Sequence, residues 1–383
     1  MRLALLTSLG LAWFLAACGS SSTIQPVIPP PPKKMVPKFA YVTNYDTQTG
    51  QPYTVSAFGV DPTSGALTPV AGSPFTAGQA PNSIAIDSGG PYLYAANLGS
   101  FNVSGYGIDA TTGVLTPIAG SPFSAGENPE GVVVHSSGKF LYVANNEFTN
   151  GAIVGSISGY AIDAISGGLT PMAGPSIPAG QVLFSLTADR SGKFLYAADM
   201  QAGQLLGYSI DTSSGAVTPV PSSPFSAGTS PAIVADPAGD FVFVANEGDN
   251  DVSAFAIDAS TGALSPVPGS PFLTGQVPLA VTVDPAGKFL YVTNAQSASV
   301  SGYSIGANGG LTAVPGSPFP AGVSPAAITV DPSGAFVYVT DYDLDNISAF
   351  SISSSGSLSP VSGSPFGPTG VEPSAIVVLG EPE

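Results

Sequence analysis

Apolar residues in this chain come in short bursts separated by turn formers. One stretch, beginning at Pro278, reads PLAVTVDPAGKFLYVTNAQSASVSGYSIGANGGLTAVPGSPFPAG and divides into four runs: LAVTVD, KFLYVTN, SVSGYSI and GLTAVPG. Alternating or unbroken apolar runs of this length are strand patterning, because successive side chains of a strand point to opposite faces. A helix would need apolar positions three and four apart, and the glycine and proline punctuation leaves no segment long enough for one. Asp-Pro-Ala-Gly (284–287) joins the first two runs as a tight hairpin, and Asp258–Gly262 joins the third and fourth runs of the preceding unit.

The burst pattern repeats. Tetrapeptides like Tyr-Val-Thr-Asn fall at 41–44, 94–97, 142–145, 196–199, 243–246, 291–294 and 338–341. A Val-Ser-Ala-Phe type recurs at 55–58, 103–106, 157–160, 205–208, 252–255, 300–303 and 347–350. Ser-Pro-Phe stands at 73–75, 121–123, 223–225, 270–272, 317–319 and 364–366, with a degenerate Pro-Ser-Ile at 175–177. Four short strands per period of roughly 47–53 residues is the signature of a propeller blade. The fourth run carries Pro69, Pro117, Pro171, Pro219, Pro266 and Pro360, and proline, which cannot donate to a ladder, belongs on an outer edge strand. The first unit lacks an inner strand, and SAIVVL (374–379) supplies a spare one. The expected fold is therefore an all-β, seven-bladed propeller over 39–383, with four antiparallel strands per blade, closed by the C-terminal strand joining the N-terminal blade.

The N-terminus has another texture. Arg2 precedes an apolar run from Leu3 to Phe14, too short to span a bilayer, followed by Leu15-Ala16-Ala17-Cys18. This resembles a bacterial lipobox, which implies a signal peptide over 1–17 and a diacylated Cys18. Residues 18–38, rich in Ser and Pro, read as a tether. The expected location is the bacterial cell envelope, lipid-anchored at the outer membrane, cell surface or periplasm. Cys18 is the only cysteine, so no disulfide forms within the chain. A monomer is expected.

Charge narrows the choice of partner. The net charge is −17, with 8 Lys and Arg against 25 Asp and Glu. Nucleic acid is excluded, since binding it requires neutralising phosphates with basic side chains. The lone histidine, His135, aligns with the turn residues Asp87, Asp189, Asp236, Asp284 and Asp331 of other units, and reads as a turn residue rather than a catalyst. Asp61, Asp109, Asp163, Asp211 and Asp258 end the third strands at turns, and Arg190, Lys139, Lys193 and Lys288 sit in or just after the first hairpin turns.

What remains lies on the face where the chain enters each blade and crosses between its second and third strands. Its loops vary between units, and function tends to be placed on such loops. Their acids are Asp46, Glu127, Glu130, Glu147, Asp199, Glu247, Asp249, Asp251, Asp341, Asp343, Asp345 and Glu372, with no lysine or arginine among them. A mouth of one sign attracts cations and repels anions. Asp341, Asp343 and Asp345 alternate as calcium ligands do, although Ile352 stands where an EF-hand would place its glutamate.

The unit as a whole resembles the Tyr-Val-Thr-Asn repeats of the seven-bladed lactonase-like propellers, which include bacterial 6-phosphogluconolactonases and fungal muconate-lactonising enzymes. The resemblance covers 39–380. It implies the propeller fold and hydrolysis of a lactone, in that group with a Pro-His-x-His-like approach to an inner strand and arginine and glutamate nearby. The matching approaches here, APNSIAID (80–87), NPEGVVVH (128–135) and SPAIVADP (230–237), contain no histidine at that place. The leading expectation is accordingly a binding module whose acidic face takes a divalent cation such as Ca2+, a basic protein, or a glycan through Tyr45, Tyr53 and Phe148. Its candidate ligand residues are Asn82, Glu130, Asp199, Glu247, Asp249, Asp251, Asp341, Asp343, Asp345 and Glu372. The alternative is lactone hydrolysis, with Asn82, Glu130, Glu372 and the Asp341–Asp345 cluster holding a cation against a neutral lactone.

Overall fold

A computed structural model describes residues 35–45, 52–87, 91–173, 176–229, 232–367 and 369–382. The leader, Cys18, most of the tether and Asp46 lie outside these residues. Seven antiparallel sheets form, each running from an inner strand outward. The inner strands are Pro81–Ile86, Pro129–Val134, Leu183–Ala188, Ala232–Ala235, Pro278–Val283 and Pro325–Val330, of blades II to VII, and Pro373–Pro382 of blade I. Each lies against the next, and the last returns to the first, so the ring is closed.

Closure joins the two ends of the described chain. Pro373–Pro382 pairs with Met35–Asn44, Ala40 opposite Val378 and Val42 opposite Ile376. The pairing extends past the expected boundary at residue 39: Met35, Val36 and Pro37 face Pro382, Glu381 and Gly380, and Lys38 forms an ion pair with Glu381. Residues assigned from composition to the tether are thus strand, because the spare C-terminal strand offers them a ladder.

The fourth strand is broken in two in six blades, and in blade VII its second piece is a single bridge between Ile347 and Phe366. In blade I, Leu67–Pro69 pairs with the far half of Thr54–Val60, the chain bulges away, and Phe75–Thr76 resumes pairing opposite Val55 and Thr54. The Ser-Pro-Phe tripeptide makes this return. Its serine hydroxyl accepts the third-strand N–H of Ala57, Gly105, Gly207, Ala254, Gly302 and Ala349 in the six blades that carry it. The prolines expected at the edge are there and exposed.

Neighbouring blades are fastened by the second strand. The buried tyrosines 41, 94, 142, 196, 291 and 338 donate their hydroxyls to the carbonyls of Gly113, Gly167, Gly215, Gly262, Gly356 and Gly65, each in the outer hairpin turn of the following blade. Burial pushes these phenols up, as it must when a phenolate would lose its water. The turn glycine is required twice over. Gly113 has φ +74°, and a Cβ there would lie 2.5 Å from the Phe39 ring.

His135 belongs to this frame. It is buried, its Nδ1 accepts the Ser137 N–H, and its Nε2 therefore carries the proton toward the Gly192 carbonyl of the next blade at 2.8 Å. Asp236, Asp284 and Asp331 do the corresponding work, each carboxylate accepting backbone N–H groups of its own hairpin.

Candidate active site

The inner strands share one irregularity at the end where the chain enters them. In blade II the ladder pairs Pro81 with Asn97 and then Ser83 with Ala96, leaving Asn82 bulged. The same slip bulges Glu130 in blade III, Phe184 in blade IV, Leu279 in blade VI and Ser374 in blade I, and Ala326 falls within the wider slip of blade VII. The corresponding position of blade V, 231, lies outside the described residues. A bulge re-aims a side chain out of the ladder, and all six of these line one central cavity of about 450 Å3. Where the second strand carries threonine, its hydroxyl takes the N–H just past the bulge: Ala375 on Thr43, Ala280 on Thr293, Ala327 on Thr340. The residue after the bulge is small (Ser83, Gly131, Ser185, Ala280, Ala327), as is Ala232 at the head of the blade V strand, and this is what leaves the centre open.

Two predicted candidates meet in this cavity. The Asn82 amide donates to Glu130 Oε2 at 2.7 Å. Burial raises the Glu130 carboxyl to about 7, and the Asn82 bond offsets only part of that. Tyr342, a wall residue that sequence reasoning missed, hydrogen-bonds Glu372, which is itself buried just ahead of its inner strand. Burial, then the charge of Glu372, push the Tyr342 phenol up. The Tyr45 phenol is raised by burial and by the charges of both Glu130 and Glu372, so it stands within electrostatic reach of the two carboxyls. The cavity carries no Lys, Arg or His among its described lining residues.

The other candidates are placed elsewhere. Asp199 and Asp341 occupy the Asn position of the repeat and are buried. Asp199 accepts the N–H groups of Gln181, Val182 and Ala202, and Asp341 accepts Ser348 Oγ at 2.7 Å. Burial lifts Asp341 to about 6. Asp343 takes the Ser324 hydroxyl, and Asp345, in a left-handed conformation, takes the Glu372 N–H at 2.9 Å. The three alternating aspartates therefore do not converge, and among the described residues no group of three His, Cys, Asp or Glu side chains is arranged to hold a metal ion. The calcium site expected at 341–345 is not assembled. Asp249 holds the Thr229 N–H and Asp251 the Asn246 amide, while Glu247 lies in a shallow rim groove with Gln201, Asn250 and Gln276. Of the aromatic candidates, Phe148 is exposed at the tip of the long blade III hairpin.

A family model for the lactonase of seven-bladed β-propeller type matches residues 37–129, 102–220, 185–280 and 270–374, nearly the whole ring. The chain belongs to this lactonase family. Solved structures agree in fold. A candidate 6-phosphogluconolactonase of Bacteroides fragilis is 20% identical with a TM-score of 0.74, covering 89% of this chain and 98% of that one. One of Bacteroides uniformis is 17% identical at 0.73, covering 91% and 100%. The periplasmic gluconolactonase of Pseudomonas aeruginosa is 16% identical at 0.73, covering 89% and 99%. No curated protein sequence matches the chain. Within this lactonase-type ring, the signal that would have found the cavity is the one variable position in a repeated frame, Pro-x-small-aliphatic, at the head of the inner strands of blades I, II, III, VI and VII.

Proposed function

We propose that this propeller hydrolyses an uncharged lactone in its central cavity, with Glu130 as the general base. The observation that carries the reading is a half-buried carboxyl in the concave centre, raised to about 7 and fixed in direction by the Asn82 amide. A base poised near the working pH is what general-base attack by water needs. Membership of a lactonase family supports the same reaction class, although fold alone does not establish chemistry.

The step balances simply. Glu130 takes a proton from water, the hydroxide adds to the lactone carbonyl, the acyl–oxygen bond breaks, and the proton passes from Glu130 to the ring oxygen. The product is a hydroxy acid, anionic at neutral pH. With carboxyls at 130 and 372 and no base in the described wall, it is repelled from the site that made it. The same field disfavours a phosphorylated substrate. The binding role expected from the acidic rim has less to support it, since most of those acids are engaged with loop hydrogen bonds. Lipid at Cys18 would hold this activity at a membrane.

A pH-stat assay of the purified protein tests the reading. Turnover of a neutral lactone should rise as pH climbs through about 7, where Glu130 loses its proton, and level off above it. A phosphorylated sugar lactone should be a much poorer substrate. Preference for the phosphorylated compound, or a rate that falls across that pH range, would overturn it.

A further inference from the structure

The six bulged residues divide by chemistry around the ring. Ser374, Asn82 and Glu130, on the consecutive blades I, II and III, are polar, whereas Phe184, Leu279 and Ala326, on blades IV, VI and VII, are hydrocarbon. The bulge is the same device in each, so the division lies in the side chains alone.

Phe184 and Leu279 are half-buried rather than sealed in the core, and they face the same cavity as the half-buried Glu130 carboxyl. A fully hydroxylated sugar lactone matches one arc and not the other. Hydroxyls turned toward Phe184 and Leu279 would lose water and gain no partner there. On that side the polar wall groups are Ser185 of blade IV, beside Phe184, and Ser324 and Tyr342 of blade VII, of which Ser324 is engaged with Asp343 and Tyr342 with Glu372. A cavity of about 450 Å3 also has room for more than a small ring, being of the size that takes a drug-like molecule.

The geometry points to a lactone that carries a hydrocarbon chain, with its ester at Asn82 and Glu130 and its chain along the Phe184–Leu279 arc. This rests on the hydrolytic reading of the same cavity and names its substrate class.

The test is a series of initial rates on γ-butyrolactone, γ-hexalactone, γ-octalactone and γ-decalactone, with glucono-δ-lactone for comparison. Burial of each methylene against the arc should raise kcat/KM about fourfold until the cavity is full, and the sugar lactone should fall at least tenfold below γ-octalactone. Leu279→Asn and Phe184→Ser should each flatten the dependence on chain length. A flat series, or preference for glucono-δ-lactone, overturns the inference and leaves hydrolysis standing. Should no lactone be turned over, the hydrolytic reading fails, and calorimetric titration with γ-decalactone decides the arc by itself. Binding with a negative heat-capacity change, weakened about tenfold or more by Leu279→Asn, supports it, and absence of binding overturns it.

Discussion

Two rings run around this molecule, each built from one residue per blade. One is the belt of tyrosine hydroxyls and turn glycines between blades; the other is the circle of bulged residues at the head of the inner strands. The belt hardly varies: six of its seven aromatic positions are tyrosine, and the exception is Phe243. The bulged circle repeats no residue among its six described members: Ser374, Asn82, Glu130, Phe184, Leu279 and Ala326. A belt residue must meet a particular carbonyl and a particular ring in the following blade. A bulged residue has left the ladder and borders the open cavity, so no single partner dictates its identity. Repetition within one chain thus separates what holds the ring from what faces a ligand.

The sharpest contrast comes from Glu130→Gln. Removing the base should lower kcat on a neutral lactone by about 10²–10⁴-fold, read in the pH-stat, with the fold intact by circular dichroism. On the belt, Gly113→Ala places a Cβ at φ +74°, 2.5 Å from Phe39, and should cost about 2–4 kcal/mol in denaturant unfolding.

Glu130→Gln should also raise stability at alkaline pH. Folded Glu130 keeps its proton up to about pH 7, while the unfolded chain releases it near 4.5, so between these values the folded state binds more protons. Stability therefore falls as pH climbs through that window, and the glutamine variant should gain up to about 3 kcal/mol over the parent at pH 8 and almost nothing at pH 4. Equal effects at both pH values would show that Glu130 ionises freely in the fold.

Tyr142→Phe removes the bond to Gly215 O, 2.7 Å long, and should cost about 1–2 kcal/mol by leaving a buried carbonyl short of a donor. Phe243→Tyr makes the opposite change, offering a hydroxyl at the one aromatic belt position without it. It should gain about 0.5–1.5 kcal/mol. No gain there would mean that blades V and VI meet differently from the rest.

The fold was legible because its rules are local. Strand runs, Asp-x-x-Gly turns and edge prolines each follow from a few neighbouring residues, and the unmatched C-terminal strand announced ring closure. Three features escaped for want of the third dimension. Met35–Lys38 looks like tether until Gly380–Pro382 is brought alongside. The fourth strand breaks at Val70, and no composition change marks the break. The bulges leave no mark in any one unit, since Asn82 reads simply as a residue between Pro81 and Ser83.

The site was half legible. Asn82 and Glu130 stood out as polar groups before an inner strand, but nothing in the sequence sets Phe184 and Leu279 apart from the apolar residues around them. Charge misled at Asp199 and Asp341. Both occupy an asparagine position of the repeat, and a short polar side chain there serves backbone and hydroxyl groups whether or not it is ionised. The calcium reading at 341–345 took spacing along the chain for convergence in space, whereas each of the three carboxylates turns to a different neighbour.

Ring closure has a consequence for biosynthesis. Ser374 enters the cavity from the strand that pairs with the first described strand, so it leaves the ribosome after every other described wall residue. Blades II to VII can form in turn as the chain emerges, each resting on the one before, yet the cavity stays open on one side until Pro373–Pro382 docks against Met35–Asn44. A nascent chain can therefore be largely folded and still lack a complete cavity, and lactone-cleaving activity would switch on in a single event when this strand docks.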